Sequence, residues 1–259
     1  MSFAHLSFAH LPFEEIEKSI SARMKAAGLH AIVLDDFLAK VRRVHAGETG
    51  LIDFAEIKDL KREEIFDLHT IPSVDINEAG MKGMLEKTVI IKLNGGLGTS
   101  MGLAGPKTLL PVRDGMNFLD IILKQLQILR KKSGANIPLL FMNSFNTDEA
   151  TRKHKGIAKL NGDVPSTFVQ NRVPRLDATT LLPIGDGTDG EDWCPPGHGD
   201  LYPALWGSGI LDALLDAGFA YLSVANGDNL GAAPNARLAG WFAASGAPYA
   251  AEVCPRTGN

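Results

Sequence analysis

The chain has 259 residues, 45% of them apolar, enough for one large α/β domain or two small ones around a substantial core. Its formal net charge of −4 and sequence pI near 6.0 argue against the clustered Lys/Arg surface of a nucleic-acid-binding protein. Two cysteines, Cys194 and Cys254, form neither a disulfide framework nor a zinc spacing, and no apolar run approaches the ~18 residues of a membrane span. The expectation is a cytoplasmic protein with neither nucleic-acid nor membrane partners.

The opening MSFAHLSFAHLPF repeats SFAHL back to back, which reads as a local duplication. It lacks the basic and apolar regions of an export signal. Over about residues 12–45, Phe13, Ile16, Ile20 and Met24 share one helical face. Val33, Phe37, Val41 and Val44 share another, with Gly28 between, so the spacing predicts a helical hairpin. Residues 46–86 are mixed and turn-rich and give no clear element.

From Thr88 the pattern changes to strands alternating with helices. Val89–Leu93, Ile137–Met142, Ser166–Val169, Phe219–Val224 and Tyr249–Val253 read as five strands. Helices are predicted from Phe118 through the basic Arg130-Lys131-Lys132, over 147–160, from Pro203 through Leu215, and over Asn235–Ala244. The basic triplet suits a helix C-terminus and is given no other role. This alternation predicts a mostly parallel sheet covered on both faces, with ligands beyond the carboxyl ends of its strands.

The loop after the first strand is the most informative stretch. In KLNGGLGTSMGLAGPKTLLP, five glycines (95, 96, 98, 102 and 105) fall within eleven positions, followed by Pro106 and Lys107. Glycine costs more backbone entropy to order than any other residue, so such a run implies a need for bare backbone. Peptide N–H groups in such a turn can converge on an anion, and Lys107 adds a point charge for phosphate oxygens. A Walker A loop is excluded because Pro106, not glycine, precedes Lys107. The dinucleotide fingerprint also fails, since Gly96, Gly98 and Gly102 give G-x-G-x-x-x-G.

A third pattern fits. Gly-Gly-x-Gly-Thr at 95–99 followed by Pro-Lys at 106–107 resembles the loop of the sugar-phosphate nucleotidyltransferases. The full string resembles the UDP-glucose pyrophosphorylase (UTP–glucose-1-phosphate uridylyltransferase) family of the eukaryotic type. Many bacterial sugar-1-phosphate transferases have Arg where this chain has Ser100. FMNSFNTDEAT (141–151), FVQNRVPRLD (168–177), WCPPGHGDLYPAL (193–205) and VANGDNLGA (224–232) are similar to further family blocks in the same order.

Two of these blocks carry readings of their own. The prolines of PPGHGD make a rigid stem before bare backbone, and His198 reads either as a donor to a phosphate or sugar hydroxyl or as a loop histidine held by backbone. Asp228, just past a strand, reads either as a one-carboxylate Mg²⁺ ligand or as an Asx-turn.

The resemblance implies an α/β fold with a doubly wound mixed sheet, Rossmann-like, as in the nucleotide-diphospho-sugar transferases. A helical N-terminal segment (1–86) would precede a nucleotidyltransferase domain (87–259) that is incomplete at its C-terminus. The implied substrates are UTP and glucose 1-phosphate, with Mg²⁺ as cofactor. Leu93, Asn94, Gly95, Gly96, Lys107, Gln170 and Gly197 would bind the nucleotide, Gln170 through the uracil edge. Lys107 would also be catalytic. His198, Asn226, Gly227 and Asp228 would face the sugar phosphate, and Asp228 would hold the metal. No block matches the family's second catalytic lysine or its C-terminal β-helical domain, so UTP binding with little turnover is expected of this chain. The alternatives are a UDP-N-acetylhexosamine or broad UDP-sugar pyrophosphorylase, and a non-catalytic UTP-binding fragment.

Overall fold

The structure, a computed structural model, describes residues 11–70, 78–97, 105–233 and 235–254. The SFAHL repeat and loop residues Gly98, Ser100 and Gly102 lie outside them.

The predicted hairpin is present as α1 (Phe13–Ala26) and α2 (Ala31–His45). Phe13, Ile16, Ile20 and Met24 are buried along one stripe of α1 and pack with Val33, Leu34 and Val41 of α2. His30 caps α2 by accepting from the Ile32 N–H. Between 46 and 86 the structure adds a helix that the sequence reading did not assign, α3 (Glu78–Glu86). Its Leu85 joins the core under the sheet.

Strand β1 (Thr88–Asn94) is followed by a small antiparallel ribbon, β2 (Pro111–Arg113) with β3 (Met116–Asn117), and by α4 (Phe118–Ser133). Asn117 and Asp120 close a capping box on α4, at 2.8 and 3.1 Å, and Gly134 ends it in the left-handed conformation. Arg130 does more than complement the helix dipole: its guanidinium donates to the carbonyls of Ile137 and Leu160. It thereby ties the helix end to the next strand.

That strand is β4 (Leu139–Asn143), followed by α5 (Asp148–Arg152), β5 (Thr167–Val169) and a second ribbon, β6 (Val173–Pro174) with β7 (Trp193–Cys194). The helix expected over 147–160 is only α5. The chain turns afterwards at Gly156, where an added Cβ would lie 2.4 Å from Leu123. The helix expected from Pro203 is two, α6 (Leu201–Gly207) and α7 (Ile210–Asp216), broken by Gly209 at φ +72°. Strand β8 (Tyr221–Asn226) and α8 (Ala236–Ser245) complete the described elements. The expected fifth strand at Tyr249–Val253 is absent: these residues pair with no strand, and Tyr249 and Val253 are 71% and 72% exposed.

The central sheet has the order β5-β4-β1-β8, and every pair in it is parallel. The antiparallel pairing behind the expectation of a mixed sheet is confined, among the described strands, to the two small ribbons. One face packs Ile90, Leu139 and Phe141 against α3 and α4; the other packs Val89, Ile91, Leu140 and Met142 against α6 and α7. The fold is therefore α/β and doubly wound. The chain proceeds from β1 outward through β4 to β5 and then places β8 on the opposite side of β1. Such a reversal opens a crevice at the carboxyl ends of β1 and β8, where open α/β sheets bind ligands.

Asn117→Ala is expected to lower unfolding stability by about 1 kcal/mol through loss of the α4 cap, while Asn117→Ser retains most of it. Urea titration of the two variants against the unaltered chain checks this, and an unchanged midpoint for Asn117→Ala refutes it.

Candidate active site

The crevice at the switch point is lined by Leu93, Asn94, Gly96, Lys107, Thr108, His198, Asn226 and Asp228. Residues from four separate stretches of sequence meet there because β1 and β8 pair in parallel, with Leu93 opposite Asn226. The turn after β8 folds tightly back onto β1: the Gly227 N–H donates to the Leu93 carbonyl at 2.8 Å. A Cβ at Gly227 would lie 2.7 Å from the Thr108 methyl and 3.0 Å from that carbonyl, so only glycine lets the turn sit this close. Asp228 is thereby delivered to the mouth of the crevice. Its carboxylate stands 3.7 Å from the Lys107 ammonium, both groups partly exposed.

Lys107 arrives from the far end of the glycine loop. The loop's stem is closed by a bridge between Leu97 and Pro106 and by the Lys107 N–H donating to the Gly96 carbonyl at 3.3 Å. At the near end, Thr147 donates to the Asn94 carbonyl and Ser144 to the Gly95 carbonyl, at 2.8 and 2.9 Å. In a trans peptide the N–H points opposite to its carbonyl. The Gly95 and Gly96 N–H groups therefore point away from Ser144 and Thr147, and neither has an acceptor among the described residues.

Asn94 lines the crevice, but its side chain is buried and committed to the protein. Its amide donates to Asn143 at 2.7 Å and Thr151 at 2.9 Å, and its oxygen accepts from the Thr108 hydroxyl at 2.6 Å. Asn143 in turn donates to Asp148. Sequence reasoning quoted the Asn143–Thr151 block without assigning these roles and passed over Thr108. The only cue in the sequence is that buried strands rarely end in Asn followed by hydroxyl residues, and a network leaves no periodic mark.

Gln170, Gly95 and Gly197 form a second group beside the crevice. Gln170 follows β5, is buried, and accepts from the Gly197 N–H at 3.1 Å. A Cβ at Gly95 would fall 1.9 Å from its amide nitrogen. Asn171 donates through its backbone and its side chain to Asp200, a buried carboxylate whose pKa is pushed up by burial and held back by those hydrogen bonds. This pairing fixes the Gln170 strand end against the turn bearing His198, and the sequence reading missed it.

Two charges of opposite sign at the mouth, two unsatisfied loop N–H groups and a histidine across the gap form an arrangement suited to a phosphate chain. The model of the UTP–glucose-1-phosphate uridylyltransferase family matches residues 34–259. The chain belongs to that family. The potato (Solanum tuberosum) enzyme is 40% identical over 249 residues, covering 94% of this chain and 52% of the potato protein. The Trypanosoma brucei UDP-glucose phosphorylase structure superposes with a TM-score of 0.77 at 36% identity, covering 89% of this chain and 49% of the other. A Leishmania major UDP-glucose pyrophosphorylase structure in complex with UDP-glucose gives 0.79 at 34% identity, covering 89% and 47%. The chain thus spans about half the length of these family members. Among the described residues no helix is long and apolar enough to cross a membrane.

Thr108→Val keeps the side-chain shape but leaves the buried Asn94 oxygen without its donor. A stability loss of about 1–3 kcal/mol is expected, with Thr108→Ser close to the unaltered chain. Denaturant unfolding of both variants measures the difference, and equal midpoints refute the network.

Proposed function

We propose that this chain carries the nucleotide-binding part of a catalytic site that makes UDP-glucose and pyrophosphate from UTP and glucose 1-phosphate. The observation that carries this reading is the meeting of the free Gly96 N–H, Lys107 and Asp228 at the sheet's switch point, with the free Gly95 N–H beside them. Family membership supplies the chemistry. A sugar-phosphate oxygen attacks the α-phosphorus of UTP in line; the new P–O bond forms as the bond to the β-phosphate oxygen breaks, and pyrophosphate carries off the electron pair. No protein nucleophile is needed, so the residues act by alignment and charge neutralisation.

In this reading the backbone of Leu93–Gly96 cradles the nucleotide phosphates and Lys107 neutralises their charge. Gln170 and Gly197 face the uracil, Gln170 offering both a donor and an acceptor. His198 and Asn226 face the sugar phosphate, along with the Gly227 turn. Among the described residues no three acidic, histidine or cysteine side chains gather as a metal cage. Asp228 stands as a single carboxylate beside Lys107. That fits Mg²⁺ held by one carboxylate, waters and the substrate's own phosphates. When bound, the ion would neutralise charge developing on the phosphate oxygens. The same reading places the protein in the cytoplasm, in keeping with cysteines that remain free thiols.

Calorimetry with UTP tests the site directly. Lys107→Ala is expected to weaken UTP binding about tenfold or more, the value of one charge-assisted phosphate contact. Unchanged affinity overturns the assignment. Asp228→Asn keeps the shape and the turn but loses the anionic ligand, so UTP binding should require markedly more Mg²⁺. A Mg²⁺ titration identical to that of the unaltered chain removes Asp228 as the metal ligand.

A further inference from the structure

The proposed mechanism makes no use of Lys92, a lysine whose side chain is fully buried. It lies on β1 two residues before Asn94 and is 1% exposed. Among the described residues no carboxylate pairs with it. Its ammonium donates instead to backbone carbonyls of Ala232 at 2.9 Å and Asn229 at 3.5 Å. Gln125 of α4 reaches the same loop, its amide donating to the Leu230 carbonyl at 3.1 Å. The Gln125 side-chain oxygen is buried with no partner among the described residues.

Both arrangements run against stability. A buried ammonium without a counter-ion carries a desolvation penalty of several kcal/mol, and an orphaned buried oxygen costs about 1–3 kcal/mol. Methionine in either place would fill the space without a buried polar group. What the two residues gain is three carbonyls of one loop, 229–232, drawn inward at the carboxyl end of the sheet. That loop begins directly after Asp228. Besides this loop, Asp228 is held by the Gly227 contact with β1, by the turn the Asn229 N–H closes onto the Asn226 carbonyl, and by its screened pairing with Lys107.

We infer that Lys92 and Gln125 are positioning residues: a buried clamp that holds the 229–232 loop and so keeps the Asp228 carboxylate opposite Lys107. The anchoring stands on the contacts above, and its consequence for ligand rests on the proposed role of Asp228. Neither Lys92 nor Gln125 lines the crevice, so neither is placed to touch the nucleotide. Their loss should leave uracil and loop contacts in place and affect only what depends on where Asp228 sits.

Lys92→Met and Gln125→Met test this in the full chain, by hydrogen exchange and by UTP titration with and without Mg²⁺. In both variants the hydrogen-bonded amides of Gly227, Asn229 and Ala232 should exchange roughly tenfold faster or more, while protection of β4 is kept. The gain in UTP affinity on adding Mg²⁺ should shrink at least about fivefold, with affinity in EDTA unchanged. Gln125→Met removes an orphaned oxygen, so its unfolding midpoint should equal or exceed that of the unaltered chain; it keeps the test valid if Lys92→Met folds poorly. Unchanged exchange at these three amides overturns the clamp. Faster exchange with an unaltered Mg²⁺ effect overturns its positioning role. Failure of the underlying reading looks different: the unaltered chain itself would show no Mg²⁺-dependent UTP binding.

Discussion

A buried side chain at the end of the central strand, Asn94, joins the parts of the site to one another. Its amide and oxygen reach β4 through Asn143, α5 through Thr151 and the Lys107 segment through Thr108, while Thr147 takes its carbonyl. Each of these groups is removed from water, so each must find its partner inside the protein. In a low-dielectric interior such a network is strong only when every member is satisfied. That requirement makes the arrangement nearly unique: moving the Lys107 segment strands the Asn94 oxygen, and moving α5 strands a donor. The glycine loop is thus pinned at its first residues and at its far stem, and the charge of Lys107 is fixed relative to the loop N–H groups before any ligand arrives. Preorganisation of this kind lets donors act on a ligand without a reorganisation cost at the moment of binding.

The second constraint is the sheet's topology. Lys107 and Asp228 are far apart in sequence and come together because β8 enters the sheet beside β1, on the side away from β4. The register of that pairing sets the depth of Asp228 in the crevice. A slip of one residue would turn each β8 side chain to the other face of the sheet. The tight Gly227 turn removes the remaining freedom by locking onto the Leu93 carbonyl. From the other side, Lys92 and Gln125 hold the loop that follows.

How far the sequence disclosed this depended on the kind of force involved. The two inner strands β1 and β4 were legible because strands buried on both faces read as continuous apolar runs, as in Val89-Ile90-Ile91; the edge strands β5 and β8, which are less buried, were legible from short apolar β-type runs alone. The α1–α2 hairpin was legible from its 3.6-residue stripes. Tyr249–Val253 also carries apolar residues but has no neighbouring strand among the described residues, and a strand exists only through its partners. The helix expected over 147–160 ends at Arg152, and beyond it the chain turns and brings Gly156 close to Leu123, a contact across the fold that no local pattern encodes. Within the site, the glycine loop and Lys107 were legible because bare backbone beside a cation has a chemical purpose. The polar residues that hold it, Thr108, Asn143, Thr147 and Thr151, were not, since each is ordinary alone and acquires meaning only from contacts across the fold. Lys92 was read only as part of the Val89–Leu93 strand, and its burial, 1% exposed, carries no mark in the local pattern.

The pair formed by Lys107 and Asp228 explains how a site built so rigidly can still accept a charged ligand. At 3.7 Å and with both groups partly exposed, the pair is screened by water and contributes at most about 1 kcal/mol. It still sets each charge beside one of opposite sign in the folded chain. On the proposed reading, a triphosphate that carries Mg²⁺ would offer each partner a better one: phosphate oxygens for the ammonium, a divalent cation for the carboxylate. An anion without the metal satisfies only Lys107 and sets its own charge against Asp228. In the proposed site the pairing would therefore favour the metal-bearing nucleotide over the bare one, because the two charges are held side by side from different segments, one by the loop's closed stem and the other by the turn after β8.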